Sequence, residues 1–293
     1  MDIRQMKYFL EVARQGGISR AAERLYITQP SLTRQMQSLE SEIGRPLFIR
    51  GGRHLRLTDT GELLRKRAEE IVELFGKAES ELLRPSGDIG GDVYIGGGET
   101  RAMRILTDVA AKMRSEHPGV RFHMHSGDIA DVSEKLDKGL VDFGLFIEPA
   151  DLDKYEHIAL PFCDEWGIIV PSSHPLAKKD SVAPDDLSGV PLLRSRHSFD
   201  RSPISEWMSK VPDLNAAATY NLLYNATLMA EAGMGCVLCI DGIVNLTGND
   251  ALRFLPLSPP VCSGISVAWK KQQIFSRAAA LFLEYMKETF REK

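Results

Sequence analysis

Between positions 28 and 37 the chain gathers hydrogen-bonding side chains around a proline: Thr28, Gln29, Pro30, Ser31, Thr33, Arg34 and Gln37. Side-chain amides match the donor–acceptor edge of adenine in the DNA major groove, arginine matches guanine, and hydroxyls serve either. The other residues able to do chemistry are more scattered. Cys236 and Cys239 form a CxxC inside the apolar run "AGMGCVLCI", which reads as a redox or metal pair or as two core cysteines. His123 and His125 share one face of a strand-like segment, with no second group of metal ligands beside them in sequence. "GGGETR" and "SGD" each lie between a strand-like and a helix-like segment. Glu99, Thr100, Ser126 and Asp128 therefore stand where backbone N–H groups and a positive helix end can meet a polar ligand. Thr100 is there either a plain helix cap or a ligand donor. Arg194 and Ser195 after one strand, with Asn225 and Thr227 on a later helix, are the candidates to face them. Glu99, an acid at such a mouth, is awkward for a carboxylate and could recognise an amine.

Catalytic signatures are missing from this set. No glycine-rich phosphate loop runs into Lys-Ser/Thr, neither HExxH nor GxSxG occurs, and "YIGGGET" is not GxGxxG. The expectation is a binding protein rather than an enzyme, with no cofactor and no resident metal.

The 293 residues exceed one ordinary core and suit two or three domains. Hydrophobic residues make up 43% and charged residues 26%, and no apolar run approaches the ~20 residues of a membrane span, so a soluble chain without a membrane partner is expected. "MDIRQMKYFLEVARQ" carries charges through its apolar pattern and has no small-residue cleavage site, which points to a cytoplasmic location. Four cysteines, Cys163, Cys236, Cys239 and Cys262, are too few for a disulfide scaffold and fit a reducing compartment. The net charge of −4 is uneven: residues 1–60 hold ten Lys/Arg against six Asp/Glu, the other 233 hold 26 against 34. A basic end joined to an acidic remainder suits a nucleic-acid-binding segment attached to something else.

The elements that position the first cluster follow from spacing. Met6, Phe9, Leu10 and Ala13 recur at helical intervals and Gly16-Gly17 supply a stop. Ser19 is a natural N-cap for a second helix through Tyr26, and Ala21 and Ala22 allow close helix packing. Thr28 would cap a third helix, whose first turn tolerates Pro30 because the missing N–H has no partner there anyway. Leu32, Met36, Leu39 and Ile43 form its inner stripe, leaving Gln29, Pro30, Thr33, Arg34 and Gln37 outside. "GRPLFIRGGRHLRLTDTG" reads as a β-hairpin tipped by Gly51-Gly52, with Arg50, Arg53 and Arg56 set to meet phosphates.

Residues 1–61, with their framework "AA..L..TQP..TRQ...LE...G..LF.R..R...LT..G", resemble the winged helix-turn-helix of LysR-type transcriptional regulators. Gly17 stands where that family usually has serine, and Thr28 and Thr33 replace common serines; the hydroxyls survive at the last two. The resemblance implies binding to a pseudo-palindromic site on double-stranded DNA by a dimer or tetramer. It also implies a small-molecule effector that alters lobe closure, with RNA polymerase a further partner to consider. A regulator switched by thiol oxidation through the CxxC is the alternative, and an enzyme carrying a DNA-binding module is a third reading.

Residues 61–86 contain Leu64, Ala68, Ile71, Phe75, Ala78 and Leu82 at alternating spacings of four and three, a heptad seam for pairing two copies. "RPSGDIGG" then marks a boundary. From residue 87 strand-like and helix-like segments alternate, which predicts α/β structure on a mostly parallel sheet. The expected fold class is α+β multi-domain: a winged helix-turn-helix over 1–60, a linker helix over 61–86 and an α/β unit over 87–293. The last divides into lobe I, about 91–160 with 264–293, and lobe II, about 161–263; the resemblance implies an effector domain similar to periplasmic binding proteins, with the ligand between the lobes.

Overall fold

In a computed structural model, which describes residues 1–49, 55–83, 89–195 and 202–291, the chain divides into two units, Met1–Ser86 and Gly87–Lys293. The first opens with α1 (Ile3–Gln15), started by a reciprocal capping box in which Asp2 accepts the Gln5 N–H and Gln5 accepts that of Asp2. Gly16, at φ 60°, ends it. α2 (Ile18–Arg24) begins two residues earlier than expected. Gly17, extended, is its N-cap, and Ser19 lies inside the helix, because the Gly17 carbonyl already accepts the Ala21 N–H. α3 (Gln29–Ile43) starts directly after Thr28 with Pro30 in its first turn, though the Thr28 hydroxyl makes no cap bond. Between α2 and α3, Tyr26 adopts a left-handed backbone, φ 54°, at a cost of ~1–2 kcal/mol for an L-residue.

The short strands β1 (Phe48–Ile49) and β2 (Arg56–Leu57) pair antiparallel. The expected glycine tip, with Arg50 and Arg53, lies outside the described residues. Glu40 on α3 anchors the entry to this hairpin by accepting the Leu47 N–H at 2.8 Å. α4 (Asp59–Leu82) is capped by Thr58, whose hydroxyl accepts the Gly61 N–H at 3.0 Å and donates to the Pro46 carbonyl at 2.8 Å. Phe9, Val12, Leu32, Met36, Leu39, Leu47 and Ala68 fill the shared core.

The second unit contains β3 (Gly91–Gly97), α5 (Met103–Glu116), β4 (Val120–Ser126), α6 (Ile129–Asp137), β5 (Phe143–Ile147) and β6 (Tyr155–Pro171). It continues through β7 (Pro191–Ser195), α7 (Pro203–Met208), β8 (Asn215–Tyr220), α8 (Leu223–Glu231), β9 (Cys236–Ile240), β10 (Leu252–Pro256), β11 (Cys262–Lys270) and α9 (Arg277–Arg291). The strands follow the order β4-β3-β5-β11-β6-β9-β7-β8, with β10 also paired to β6. The outer strands are parallel, β3 to β4 and β5, and β7 to β8 and β9. The middle of the sheet is antiparallel, unlike the mostly parallel expectation, because β6 and β11 are long direct strands that cross between the two lobes. One core, with Ile95, Leu106, Phe143, Val267 and Phe282, lies on the β3 side; another, with Ile168, Leu192, Trp207 and Leu238, lies on the β7 side.

Gly61 marks a close approach within the first unit: a Cβ there would overlap the Leu47 carbonyl oxygen, whereas one at Gly76, on the same helix, meets nothing within 4 Å. Gly61→Ala is expected to destabilise that unit by ~1–3 kcal/mol in chemical denaturation. Gly76→Ala should stabilise the helix by ~0.5–1 kcal/mol. Equal effects at both positions would contradict the packing of α4 against the hairpin.

Candidate functional site

On α3 the apolar stripe decides which side chains remain available. Leu32, Met36 and Leu39 are buried, and the opposite face leaves Thr28, Gln29, Pro30, Arg34 and Gln37 exposed, with Ser31 and Thr33 half-buried. The Thr33 hydroxyl donates to the Gln29 carbonyl at 2.9 Å and Arg34 Nε to the Pro30 carbonyl at 3.4 Å. These seven residues therefore form one continuous polar surface on the first turns of a helix, the part of such a helix that meets base edges. Sequence reasoning missed Tyr26. The residue is 95% exposed, with a left-handed backbone, at the turn before this surface; the absence of glycine from that turn was the available signal.

α4 splits the expected seam into two faces. Ala68 is buried and Leu64 half-buried against the unit's own core, joined there by Val72. Ile71, Phe75, Ala78 and Leu82 remain exposed, with Leu63 and Leu74 beside them, and Lys7 sits over the Phe75 ring at 5.5 Å.

In the second unit a cavity of about 520 Å³ opens at the carboxyl ends of β3, β4, β7, β8 and β9. Ligands of open α/β sheets bind at such strand ends. Of the predicted effector residues it gathers Glu99, Ser126, Asp128 and Ser195. Thr100 is turned away: it is buried, accepts the Ala102 N–H at 3.0 Å and donates to Asp164. The residue before α5 is Ala102, so Thr100 is not its N-cap; its hydroxyl serves the turn ahead of the helix and Asp164 on β6. Arg194 does not line the cavity, Asn225 lies exposed on α8, and the Thr227 hydroxyl donates to the Tyr224 carbonyl of its own helix. Arg196, which follows Ser195 in the sequence, lies outside the described residues.

Of the apolar walls, Leu145, Ile147, Trp166 and Ile240 come from residues that read in sequence simply as strand core, and Ile243 follows β9 in a turn. Polar groups cluster at the rim. Asp128 caps α6 by accepting the Asp131 N–H at 2.9 Å, Asp131 pairs with His125, and Glu99 accepts the Leu223 N–H at the start of α8, 3.3 Å away. Glu99 thus links the two lobes across the mouth. A second link, Arg101 to Asp241 at 2.7 Å, lies nearby. His123 and His125 serve separate carboxylates, Asp92 and Asp131, rather than one centre. Arg121, which donates to both Asp92 oxygens, holds that carboxyl at about 2, helped by His123.

The CxxC does not form a pair. Cys236 and Cys239 lie three apart on β9, so they point to opposite faces of the sheet and enter different cores. Burial pushes both thiols up, Cys236 to about 11, which makes them poor nucleophiles. The joined cysteines are Cys163 and Cys262, in a disulfide between β6 and β11 with their Cα atoms 5.8 Å apart.

Comparison with known proteins agrees with this geometry. A family described as "Bacterial regulatory helix-turn-helix protein, lysR family" matches residues 3–62, and one described as "LysR substrate binding domain" matches residues 86–291. The chain is similar to the uncharacterized HTH-type transcriptional regulator YvbU of Bacillus subtilis, 25% identical over 99% of both chains. It is also similar to the Hca operon transcriptional activator HcaR of Escherichia coli, 29% identical over 94% of this chain and 93% of the other. Among solved structures, full-length CbnR complexed with its target DNA superposes with a TM-score of 0.79 at 23% identity, covering 99% of this chain and 100% of that one.

Asp164 sits behind the cavity with its carboxyl raised by burial, an effect reduced by the Thr100 hydroxyl and by Arg101 and reinforced by Asp241. A carboxyl raised on folding contributes most when protonated and loses that contribution as pH rises through its folded value. Asp164→Asn keeps the acceptor for Thr100 and removes the titration. Thermal unfolding midpoints are expected to separate as pH rises above about 4, with the variant gaining on the parent; parallel curves would rule the raised carboxyl out.

Proposed function

We propose that this chain, which belongs to the LysR family of bacterial transcriptional regulators, reads its DNA site with the outer face of α3 and responds to a small molecule in the cavity at the strand ends. A DNA-binding helix-turn-helix and an effector-binding domain are what the family provides. The residue assignments are the proposal's own: Gln29, Pro30, Ser31, Thr33, Arg34 and Gln37, with Thr28 and Tyr26 at the edge, contact DNA. Arg56 and the outlying Arg50 and Arg53 supply phosphate contacts. The observation that carries the reading is the division of α3 into a buried apolar stripe and a continuous polar surface.

The effector has an apolar body against Ile147, Trp166 and Ile240, and hydrogen-bond donors for Ser126, Asp128 and Ser195. Insertion at the mouth competes with the Glu99 link to α8, which gives a small molecule leverage over the approach of the lobes. The protein acts in the cytoplasm, where its DNA is, as a regulator without catalytic turnover. Its working form is at least a dimer through Ile71, Phe75, Ala78 and Leu82, since an apolar row so exposed on a helix is covered most simply by a second copy of itself.

Two measurements test this. With DNA selected from a random pool, Gln29→Ala is expected to change the preferred half-site by ~1–3 kcal/mol, while Arg56→Ala weakens all sequences alike and lowers the salt slope by ~1. A change of base preference at Arg56 with none at Gln29 would reverse the assignment. In sedimentation, Ile71→Asp should leave a folded monomer, because the side chain is exposed within its own unit and the new carboxylate would be buried unpaired only between two helices. A variant that remains dimeric at low micromolar concentration moves the interface elsewhere.

A further inference from the structure

We propose that Cys163 and Cys262 form a reversible dithiol–disulfide site, a covalent clamp on the two crossover strands at the back of the effector cleft. The site differs in kind from the buried CxxC. Cys163 is exposed and Cys262 half-buried, so a small thiol or disulfide can reach the sulfurs. In a protein that works beside DNA, and therefore beside the glutathione pool, disulfides are in general transient and redox-sensing rather than structural.

Its position gives the bond a mechanical consequence. Cys163 lies opposite Gly264 and Cys262 opposite Glu165, so the bridge crosses the β6–β11 ladder diagonally. It stands where β6 leaves β11 and begins to pair with β9 at Trp166. The β6–β11 register slips between Gly264 and Ser266, so the end of β11 that carries Cys262 is separated from the regular ladder by an irregularity. Each cysteine also adjoins a residue that works at the cleft. Asp164, next to Cys163, accepts the Thr100 hydroxyl; Ser263, next to Cys262, accepts the indole N–H of the cavity residue Trp166 at 3.0 Å. Alternation along β6 puts Cys163 on the face opposite Asp164 and Trp166, so the clamp tightens the cleft wall from behind without entering the cavity.

The co-reactant is a low-molecular-weight disulfide of the glutathione class. The thiolate of the accessible Cys163 attacks one of its sulfurs, breaking that S–S bond, releasing one small thiol and leaving a mixed disulfide on Cys163. The Cys262 thiolate then attacks the Cys163 sulfur and expels the second small thiol. Two protein thiols are oxidised, one small disulfide is reduced to two thiols, and the two protons leave with them. Reduced glutathione runs the sequence backwards. The bridge itself is independent of the effector reading; only its consequence for the cleft rests on that reading.

The test uses the full-length protein equilibrated across ratios of reduced to oxidised glutathione, quenched in acid, alkylated and mapped by mass spectrometry. A peptide pair linked through Cys163 and Cys262 is expected to appear and disappear reversibly, with Cys236 and Cys239 alkylated throughout. Hydrogen exchange on the two forms should then slow on oxidation by about tenfold in segments 160–170 and 258–266, and also in 98–104 at the cleft. Cys163→Ser, at an exposed position that leaves folding intact, and Cys262→Ser should show no difference between buffers. The absence of the link at every ratio, or a link that reduced glutathione does not open, overturns the site and leaves the effector reading standing. A link that forms without any change in 98–104 overturns the clamp.

Discussion

The second unit depends on one continuous strand. β6 runs for 17 residues, pairing with β11 along its first part and with β9 and β10 along its last. A strand cannot bend sharply without losing ladder hydrogen bonds, so β6 joins the two parallel halves of the sheet while keeping them apart. The carboxyl ends of those halves then face one another across an opening. The cavity is this opening, and its apolar wall is made by Leu145 and Ile147 of β5, Ile240 at the end of β9 and Trp166 from the stretch of β6 that crosses between the halves.

Polar groups at the opening are mostly spoken for by the protein. Asp128 caps α6, Asp131 pairs with His125, Glu99 bridges to α8 and Arg101 to Asp241. A ligand therefore exchanges contacts rather than simply adding them, and only the difference between the old contacts and the new drives a conformational change. Asp164 and the Cys163–Cys262 bridge lie on opposite faces of β6, and neither lines the cavity. From there they act on the wall of the cavity and not on its contents.

In the first unit the controlling relation is between a buried face and a free one. Leu32, Met36 and Leu39 seat α3 against Phe9 and Val12, which holds Gln29, Thr33 and Arg34 outward on a rigid helix. Gly61 lets α4 come against the Leu47 carbonyl, and Glu40 and Thr58 fix the backbone on either side of the hairpin. The polar surface is thus positioned by packing alone, with no flexible segment between it and the core.

Local pattern in the sequence was sufficient to place the three N-terminal helices and their buried stripes, because these residues are neighbours along the chain and 3.6-residue periodicity separates core from surface directly; that the set is a helix-turn-helix came from the family resemblance. Local pattern also gave the position of Pro30 and the alternation of strand and helix from residue 87. Helix starts were less legible: Gly17 rather than Ser19 opens α2, and Thr100 stands two residues ahead of Ala102, the cap of α5, with its hydroxyl bonded both to Ala102 and to Asp164, 64 residues away. The same periodicity that made Ala68 a seam residue could not tell a partner's helix from the unit's own core, which is where it lies. The cavity and the cysteine pairing were decided only by the tertiary structure. Ile147, Trp166 and Ile240 look like any buried strand residue until separate strand ends converge, and Cys163 finds Cys262 across 99 residues because two crossover strands are paired side by side, a long-range register that no local spacing encodes.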